Sequence, residues 1–362
     1  MKLLDDLKPY ENTEWLNETI SKIRKRGGVI IYGAARYGII SADILIKNAV
    51  TVFCFCDDDE KKLNRQIKGL DTINLDEAAI RFGTDTQIFI CSYSGEPVIN
   101  KMKANCAKTG FTNVHHIMQF TAFYETIASL SKIEDKLEAA YNLLEDEKSK
   151  ELFKRLLAVR LSGDISRLVD LAEDGQYFDP DLVKLTETEV FVDCGAYDGD
   201  TVAEFIRRTK GKYHRVYGFE ADARTADLLK NNTRGLENVF TFSQGCYNKN
   251  GTVTFSSGLD QTSNINENGE ETIKVCRLDD FMKDKARPTF IKMDIEGAEL
   301  AALQGAEFVI RNYKPRLAIC LYHKPDDIWE IPLYIKSLCP EYLFYMRAYS
   351  PLPIEYVLYA VL

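Results

Sequence analysis

The sequence is short of the features that would direct it to nucleic acid, membrane or metal. Positive charge is in deficit, with 46 Lys and Arg against 55 Asp and Glu and a formal net charge of −9 at pH 7. Affinity for a phosphate backbone rests mainly on Lys and Arg, so a DNA or RNA partner is disfavoured. No apolar run approaches the roughly 20 residues that span a bilayer. The opening Met1-Lys-Leu-Leu-Asp-Asp-Leu-Lys8 is too charged for a secretory core, and the expectation is a cytoplasmic protein without a membrane span. The nine cysteines are odd in number and include no Cys-x-x-Cys pair; most lie in apolar, strand-like stretches, which reads as buried reduced thiols. Cys54 and Cys56 alternate along one strand, but His115-His116 is too weak a pattern to add for zinc, and no metal is expected.

What remains is an ordinary packed composition, 45% hydrophobic and 28% charged over 362 residues, long enough for two domains. Strand-like Val29–Tyr32, Thr51–Cys56, Gln87–Cys91 and Asn113–Ile117 alternate with helical stretches, which predicts a parallel, doubly wound sheet over residues 1–120. From Thr121 to Leu161 apolar residues recur at helical spacing, with Ile127, Leu130, Ile133, Leu137, Tyr141 and Leu144, and a helical connector is expected over 121–176. A second strand–helix series occupies 177–362, with strands at Glu189–Val192, Arg215–Phe219, Val239–Phe242, Thr289–Met293 and Arg316–Leu321. The fold class is therefore α/β, with two Rossmann-like doubly wound domains joined by a helical region.

Chemistry gathers in the second series. The strand Val190–Asp193 runs into Cys194-Gly195-Ala196-Tyr197-Asp198-Gly199-Asp200-Thr201 and then a helix. In an open parallel sheet, ligands sit beyond the carboxyl ends of the strands, where glycines let them approach the backbone. Asp193 at this turn suits an ammonium or neighbouring amides better than a pyrophosphate. The next strand ends at Glu220, whose carboxylate can accept both hydroxyls of a ribose. A glycine turn followed by an acidic strand end serves NAD and S-adenosylmethionine alike. A further strand end, Ile291-Lys-Met-Asp294-Ile-Glu296-Gly297-Ala-Glu299, brings more carboxylates to the same edge. Taken singly, each acid reads equally well as a helix cap or a solvated turn.

In this region the sequence resembles the FkbM family of methyltransferases, over roughly residues 177–362. The resemblance rests on Asp193, Gly195, Ala196, Gly199 and Thr201, on Phe219-Glu220, on Leu278-Asp279-Asp280, and on Lys292, Asp294, Glu296, Gly297, Ala298 and Glu299. The tail Leu321-Tyr-His323-Lys-Pro and Tyr356–Ala360 is similar as well; Tyr197 departs from the asparagine common in the family. The resemblance implies a class I methyltransferase sheet. Asp193, Gly195 and Gly199 would hold the methionine end of S-adenosylmethionine, with Ala196, Tyr197 and Thr201 in the same turn. Glu220 would take the ribose, and Gln244-Gly245-Cys246 would lie by the adenine. It also implies methylation of hydroxyls on sugars or natural products, as in polysaccharide biosynthesis.

Only four histidines occur, and His323 alone follows a strand of the second series. It is the expected general base, kept neutral by Lys324 beside it. Asp294 is the alternative base, or else a contact for the cofactor ammonium. The expected partner is a small-molecule or saccharide acceptor, and self-association into a homo-oligomer is left open.

The first series carries Tyr32-Gly33-Ala-Ala35-Arg-Tyr-Gly38 and Cys56-Asp57-Asp58, the layout of a dinucleotide fingerprint with Ala35 in place of the middle glycine. A nucleotide or nucleotide-sugar is what such a loop would take, if it takes a ligand. Two rival readings follow: an NAD-dependent oxidoreductase run by this first domain, and a non-catalytic ligand-sensing protein.

Overall fold

The computed structural model describes residues 2–92, 96–116, 125–255 and 271–362. The expected boundary at 120/121 and the last residue of the expected strand Asn113–Ile117 lie outside them. The first sheet comprises β1 (Val29–Tyr32), β2 (Val52–Cys56), β3 (Arg65–Ile67), β4 (Leu70–Ile73), β5 (Gln87–Ile90) and β6 (Val114–His116). Their order is β3-β4-β2-β1-β5-β6, parallel except for the β3/β4 hairpin. That hairpin is not legible as strands because Arg-Gln-Ile and Leu-Asp-Thr-Ile are short and polar. Lys68 and Gly69 turn between them at φ 53° and 79°. Successive residues of β1 serve opposite cores: Val29 and Ile31 pack with Phe55, Ile30 and Tyr32 with Cys54 and Cys56. A sheet covered on both faces needs such continuous apolar strands.

The second sheet contains β7 (Val190–Cys194), β8 (Arg215–Glu220) and β9 (Val239–Ser243). After it come the short β10 (Gly245–Cys246), β11 (Gly251–Phe255) and β12 (Glu271–Cys276), which form a separate three-stranded sheet. The second sheet then resumes with β13 (Phe290–Met293), β14 (Arg316–Cys320), β15 (Leu343–Ala348) and β16 (Tyr356–Val361). Its order is β15-β16-β14-β13-β7-β8-β9, with β16 antiparallel to both its neighbours. Strand order reverses between β7 and β13, and an open parallel sheet takes its ligand in the crevice at that reversal.

The helices between the two sheets belong to the core of the second. Leu137, Leu144, Phe153 and Leu157 share one apolar cluster with Phe191, Phe290 and Phe344, and Leu3, Leu4 and Leu7 from the start of the chain join it. Asp146 and Asp179 both pair with the buried Arg347 of β15, at 2.7 and 3.3 Å. Glu145 and Glu173 donate backbone hydrogen bonds to Phe344 and Ala348 of the same strand. This covers an edge that would otherwise present unpaired backbone groups. All nine cysteines are free and buried. Among the described residues no helix is long and apolar enough to cross a membrane.

Candidate active site

The turn after β7 is shaped by close approach rather than by a ligand alone. Gly195 stands at φ 84°, and a Cβ there would lie 1.8 Å from the carbonyl oxygen of Asp294. Only glycine fits, because both the backbone region and the space exclude a side chain. The amides of Gly195 and Ala196 both donate to the Phe219 carbonyl at 2.9 Å, and that of Asp294 donates to Cys194 at 3.0 Å. The ends of β7, β8 and β13 are thereby locked edge to edge. Gly199, at φ 96°, precedes the helix Asp200–Arg208, whose Thr201, Val202 and Phe205 face the core. Thr201 donates through both its amide and its hydroxyl to Asp200, so its role is in the first helical turn.

Glu220 is brought to this turn as expected. One oxygen accepts the Tyr197 amide at 3.0 Å and the other the Asp222 amide at 2.9 Å. Burial raises its pKa against the effect of those two hydrogen bonds. Tyr197 is 61% exposed, on a left-handed backbone at φ 46°. Ala196 is fully buried and lines no opening. Gly245 and Cys246 lie in β10 rather than at the end of β9; Gly245 packs near Ala221 and Cys246 is buried.

Asp193 is not an open ligand group. Its carboxylate is completely buried and pairs at 3.0 Å with Lys292, itself 3% exposed. Lys292 also donates to the Gly195 carbonyl at 2.6 Å and lies 5.0 Å over the Tyr177 ring. Burial pushes the Asp193 carboxyl up to about 6, although the lysine opposes it. Burial alone would lower Lys292, but Asp193 and Asp294 outweigh it and hold the ammonium charged. The pair therefore braces the glycine turn from beneath. Lys292 stands within the recognised motif, and only its residue type hinted at this partnership.

Asp294 and His323 do come together. One Asp294 oxygen accepts the Tyr177 hydroxyl at 2.7 Å and the other the Tyr322 hydroxyl at 3.0 Å. Burial would raise its pKa, but Lys292, His323 and the two tyrosines lower it, so Asp294 is a weak base. Tyr177 (φ 66°), Glu296 (φ 56°) and Glu355 (φ 57°) all surround this point on left-handed backbone. Strain of that kind collects at functional sites. Gln176 bridges the Tyr177 hydroxyl and Glu355.

His323 differs from expectation in two respects. Its side chain is 1% exposed, so it lies beneath the cleft rather than projecting into it. It is also not kept neutral. Nδ1 lies 2.9 Å from Glu299, and Nε2 lies 3.4 Å from both Asp294 and Glu296. Burial would lower its pKa, but Glu299 first, then Asp294 and Glu296, raise it to about 9. Three carboxylates outweigh the single Lys324. Asp294, Glu299 and His323 are close enough together to be weighed as a metal group. The two acids, however, face opposite ring nitrogens, the geometry of ion pairs about an imidazolium.

In the first sheet the glycines answer to packing. A Cβ on Gly38 would fall 1.9 Å from the Gly33 carbonyl oxygen, and one on Gly33 2.9 Å from that of Cys91. Asp57 accepts the Ala34 amide at 2.8 Å, so the acidic strand end folds back onto its own glycine turn.

The Methyltransferase FkbM domain model matches residues 193–350, which leaves Tyr177 and Glu355 just outside the matched segment. No curated protein matches the sequence. A crystal structure of an FkbM methyltransferase from Methylobacillus flagellatus superposes with a TM-score of 0.65 at 24% identity, covering 95% of this chain and 93% of that one, which shows the fold. Aeropyrum pernix fibrillarin with natively bound S-adenosyl-L-methionine reaches a TM-score of only 0.32, at 14% identity, covering 50% of this chain and 70% of that one. A putative methyltransferase of Streptococcus mutans in complex with SAH reaches 0.31, at 12% identity, covering 49% and 91%. Likeness that loose carries no argument. The match over 193–350 takes in the glycine turn, the Glu220 strand end and the Asp294–Glu299 segment described above; this stretch matches the FkbM methyltransferase domain, and the chain is a methyltransferase.

Proposed function

We propose that the chain transfers a methyl group from S-adenosylmethionine to a hydroxyl of a sugar, glycan or related polyhydroxy metabolite. The observation that carries this reading is the convergence of the glycine turn, Glu220 and the Asp294–His323 pair at the strand-order reversal between β7 and β13. The residues suit the cofactor. Glu220 is a partly exposed carboxylate with lone pairs left for two ribose hydroxyls. In the turn between β7 and its helix, Gly195 and Asp198 are half-buried and Tyr197 is exposed, and these positions would meet the methionine end. When bound, the cofactor supplies a sulfonium methyl whose carbon–sulfur bond breaks as the acceptor oxygen takes the methyl, the electron pair staying on sulfur. The chain aligns the acceptor and removes its hydroxyl proton. Asp294, 22% exposed, and Glu296, 43% exposed, offer the acceptor hydrogen-bond-accepting oxygens. His323 behind them is the stronger base and receives the proton through either carboxylate. An acidic mouth of this kind favours neutral polyols over phosphorylated or carboxylated acceptors.

Glu220→Ala should weaken S-adenosylmethionine binding by about 1–3 kcal/mol, the cost of leaving buried hydroxyls unpaired. Calorimetric titration checks this, and unchanged affinity in a folded variant removes Glu220 from the ribose site. A divalent ion has no place in this scheme, because the strand-end acids are engaged by tyrosine, lysine and histidine. Turnover should therefore survive a chelator. Loss of activity with EDTA and its return with Mg²⁺ would show that the hydroxyl proton is removed with metal assistance.

A further inference from the structure

We propose that Glu299 is a positioning residue that fixes His323 through Nδ1, and that the Nε2 proton of the resulting imidazolium is displaced when the cationic cofactor binds. The proposal rests on the S-adenosylmethionine reading above. Glu299 is wholly buried; one oxygen accepts the Ile295 amide at 2.9 Å and lies 2.9 Å from His323 Nδ1. Its other oxygen has no hydrogen-bond partner among the described residues. A buried carboxylate so placed needs a cation beside it, and the imidazole is the group it faces.

The remaining groups around the ring can be named. Asp294 and Glu296 approach Nε2 from the turn after β13. Tyr322 and Lys324 flank His323 in the chain, and the Tyr322 ring lies 4.2 Å from the imidazole, centroid to centroid. Asp327, on the helix Asp327–Leu338, and Glu355, ahead of β16, also interact with the imidazolium, and Lys292 acts on Asp294. Carboxylates dominate this shell, which keeps the ring charged while the cleft holds no further cation.

A ligand on the glycine turn changes that balance. Gly195 is in van der Waals contact with the Asp294 backbone, and Asp294 lies 3.4 Å from Nε2. A cofactor held on the turn would bring its positive charge towards Asp294, the residue that stands between the turn and the imidazolium. Like charges in a low-dielectric pocket favour loss of the mobile proton, which leaves through Asp294 or Glu296 to solvent. The neutral Nε2 is then ready for the acceptor's hydroxyl proton. Transfer of the methyl discharges the sulfonium, and the same step regenerates the imidazolium. Base and electrophile are thus armed together.

Calorimetric titration of the full chain at pH 7.5, in buffers of differing ionisation enthalpy, tests this without an acceptor. S-adenosylmethionine should release close to one proton more per site than S-adenosylhomocysteine, which has the same amino-acid end but no sulfonium charge. Below about pH 9, the affinity for S-adenosylmethionine relative to its product should rise with pH, by up to tenfold per unit. His323→Asn should abolish the difference and still bind. Glu299→Gln should reduce it, because the ring is then largely neutral before the cofactor arrives. Equal proton release by both ligands, or an undiminished difference in either variant, overturns the proposal. Failure of the wild type to bind either ligand overturns instead the cofactor reading on which it rests.

Discussion

Replacing His323 with alanine should lower kcat by about 10²–10⁴-fold, the usual worth of a positioned general base, without weakening affinity for S-adenosylmethionine. The large effect follows from the division of labour around the ring. Asp294 is held by two tyrosine hydroxyls and its pKa is lowered, so it passes a proton on more readily than it keeps one. His323, raised to about 9, is the group that can keep it. Alanine also strands Glu299 as a buried, unpaired carboxylate, so His323→Gln serves as a second variant that fills the space without a basic nitrogen. The wild-type rate should climb with pH as the imidazolium is lost and then level off. Asp294→Asn should retain that limb and His323→Gln should lack it. A rise in KM without a fall in kcat would make His323 a residue that shapes the acceptor site. Loss of the limb in Asp294→Asn alone would move the proton-accepting role to Asp294.

Lys292→Ala should destabilise the fold by about 3–5 kcal/mol, because it leaves Asp193 buried without its partner. The loss should also depend on pH. The folded pKa of Asp193 is about 6 against an ordinary value of 3.8, so folding disfavours its ionised form. Stability from this group therefore falls as pH rises from about 4 to 6, and is constant above. Without Lys292 the folded pKa moves higher and the fall continues further. The variant's deficit should thus be largest near pH 8 and shrink towards pH 5. Urea unfolding at the two pH values measures it. The double variant Asp193→Asn/Lys292→Met should recover most of the loss. A single-variant deficit below 1 kcal/mol, flat with pH, would show that the pair does not brace the turn.

Much of this site is legible in the sequence because it is built from strand ends. Period and apolar content reveal β7, β8, β13 and β14, and a parallel sheet then places Gly195, Glu220, Asp294 and His323 at one edge without further information. What strand ends do not reveal is which way a side chain is answered. Asp193 looks like a ligand group and is instead paired with Lys292 from β13, its neighbour in the sheet but distant in the chain, a pairing set by the register of Lys292 against Asp193. His323 looks like a neutral base beside a lysine, whereas the folded chain sets Glu299, Asp294 and Glu296 around it.

Tyr177 reaches Asp294 from 117 positions away, on a left-handed backbone that no local pattern announces. β15 has the apolar and aromatic residues of a strand, and what local pattern leaves out there is the partner of its one charge. Its Arg347 reads as a surface charge until Asp146 and Asp179, from the helical region and the loop after it, are seen to bury it. Long-range ion pairs and left-handed non-glycine residues are where local pattern is least informative. Tyr177, Tyr197, Glu296 and Glu355 are the left-handed residues that this site draws on.

Titration of the full chain with S-adenosylmethionine and, separately, with NAD tests the central claim most directly. The account predicts saturable binding of S-adenosylmethionine at one site per chain, lost or weakened in Glu220→Ala, with no comparable binding of NAD. Binding of NAD with none of S-adenosylmethionine would contradict it.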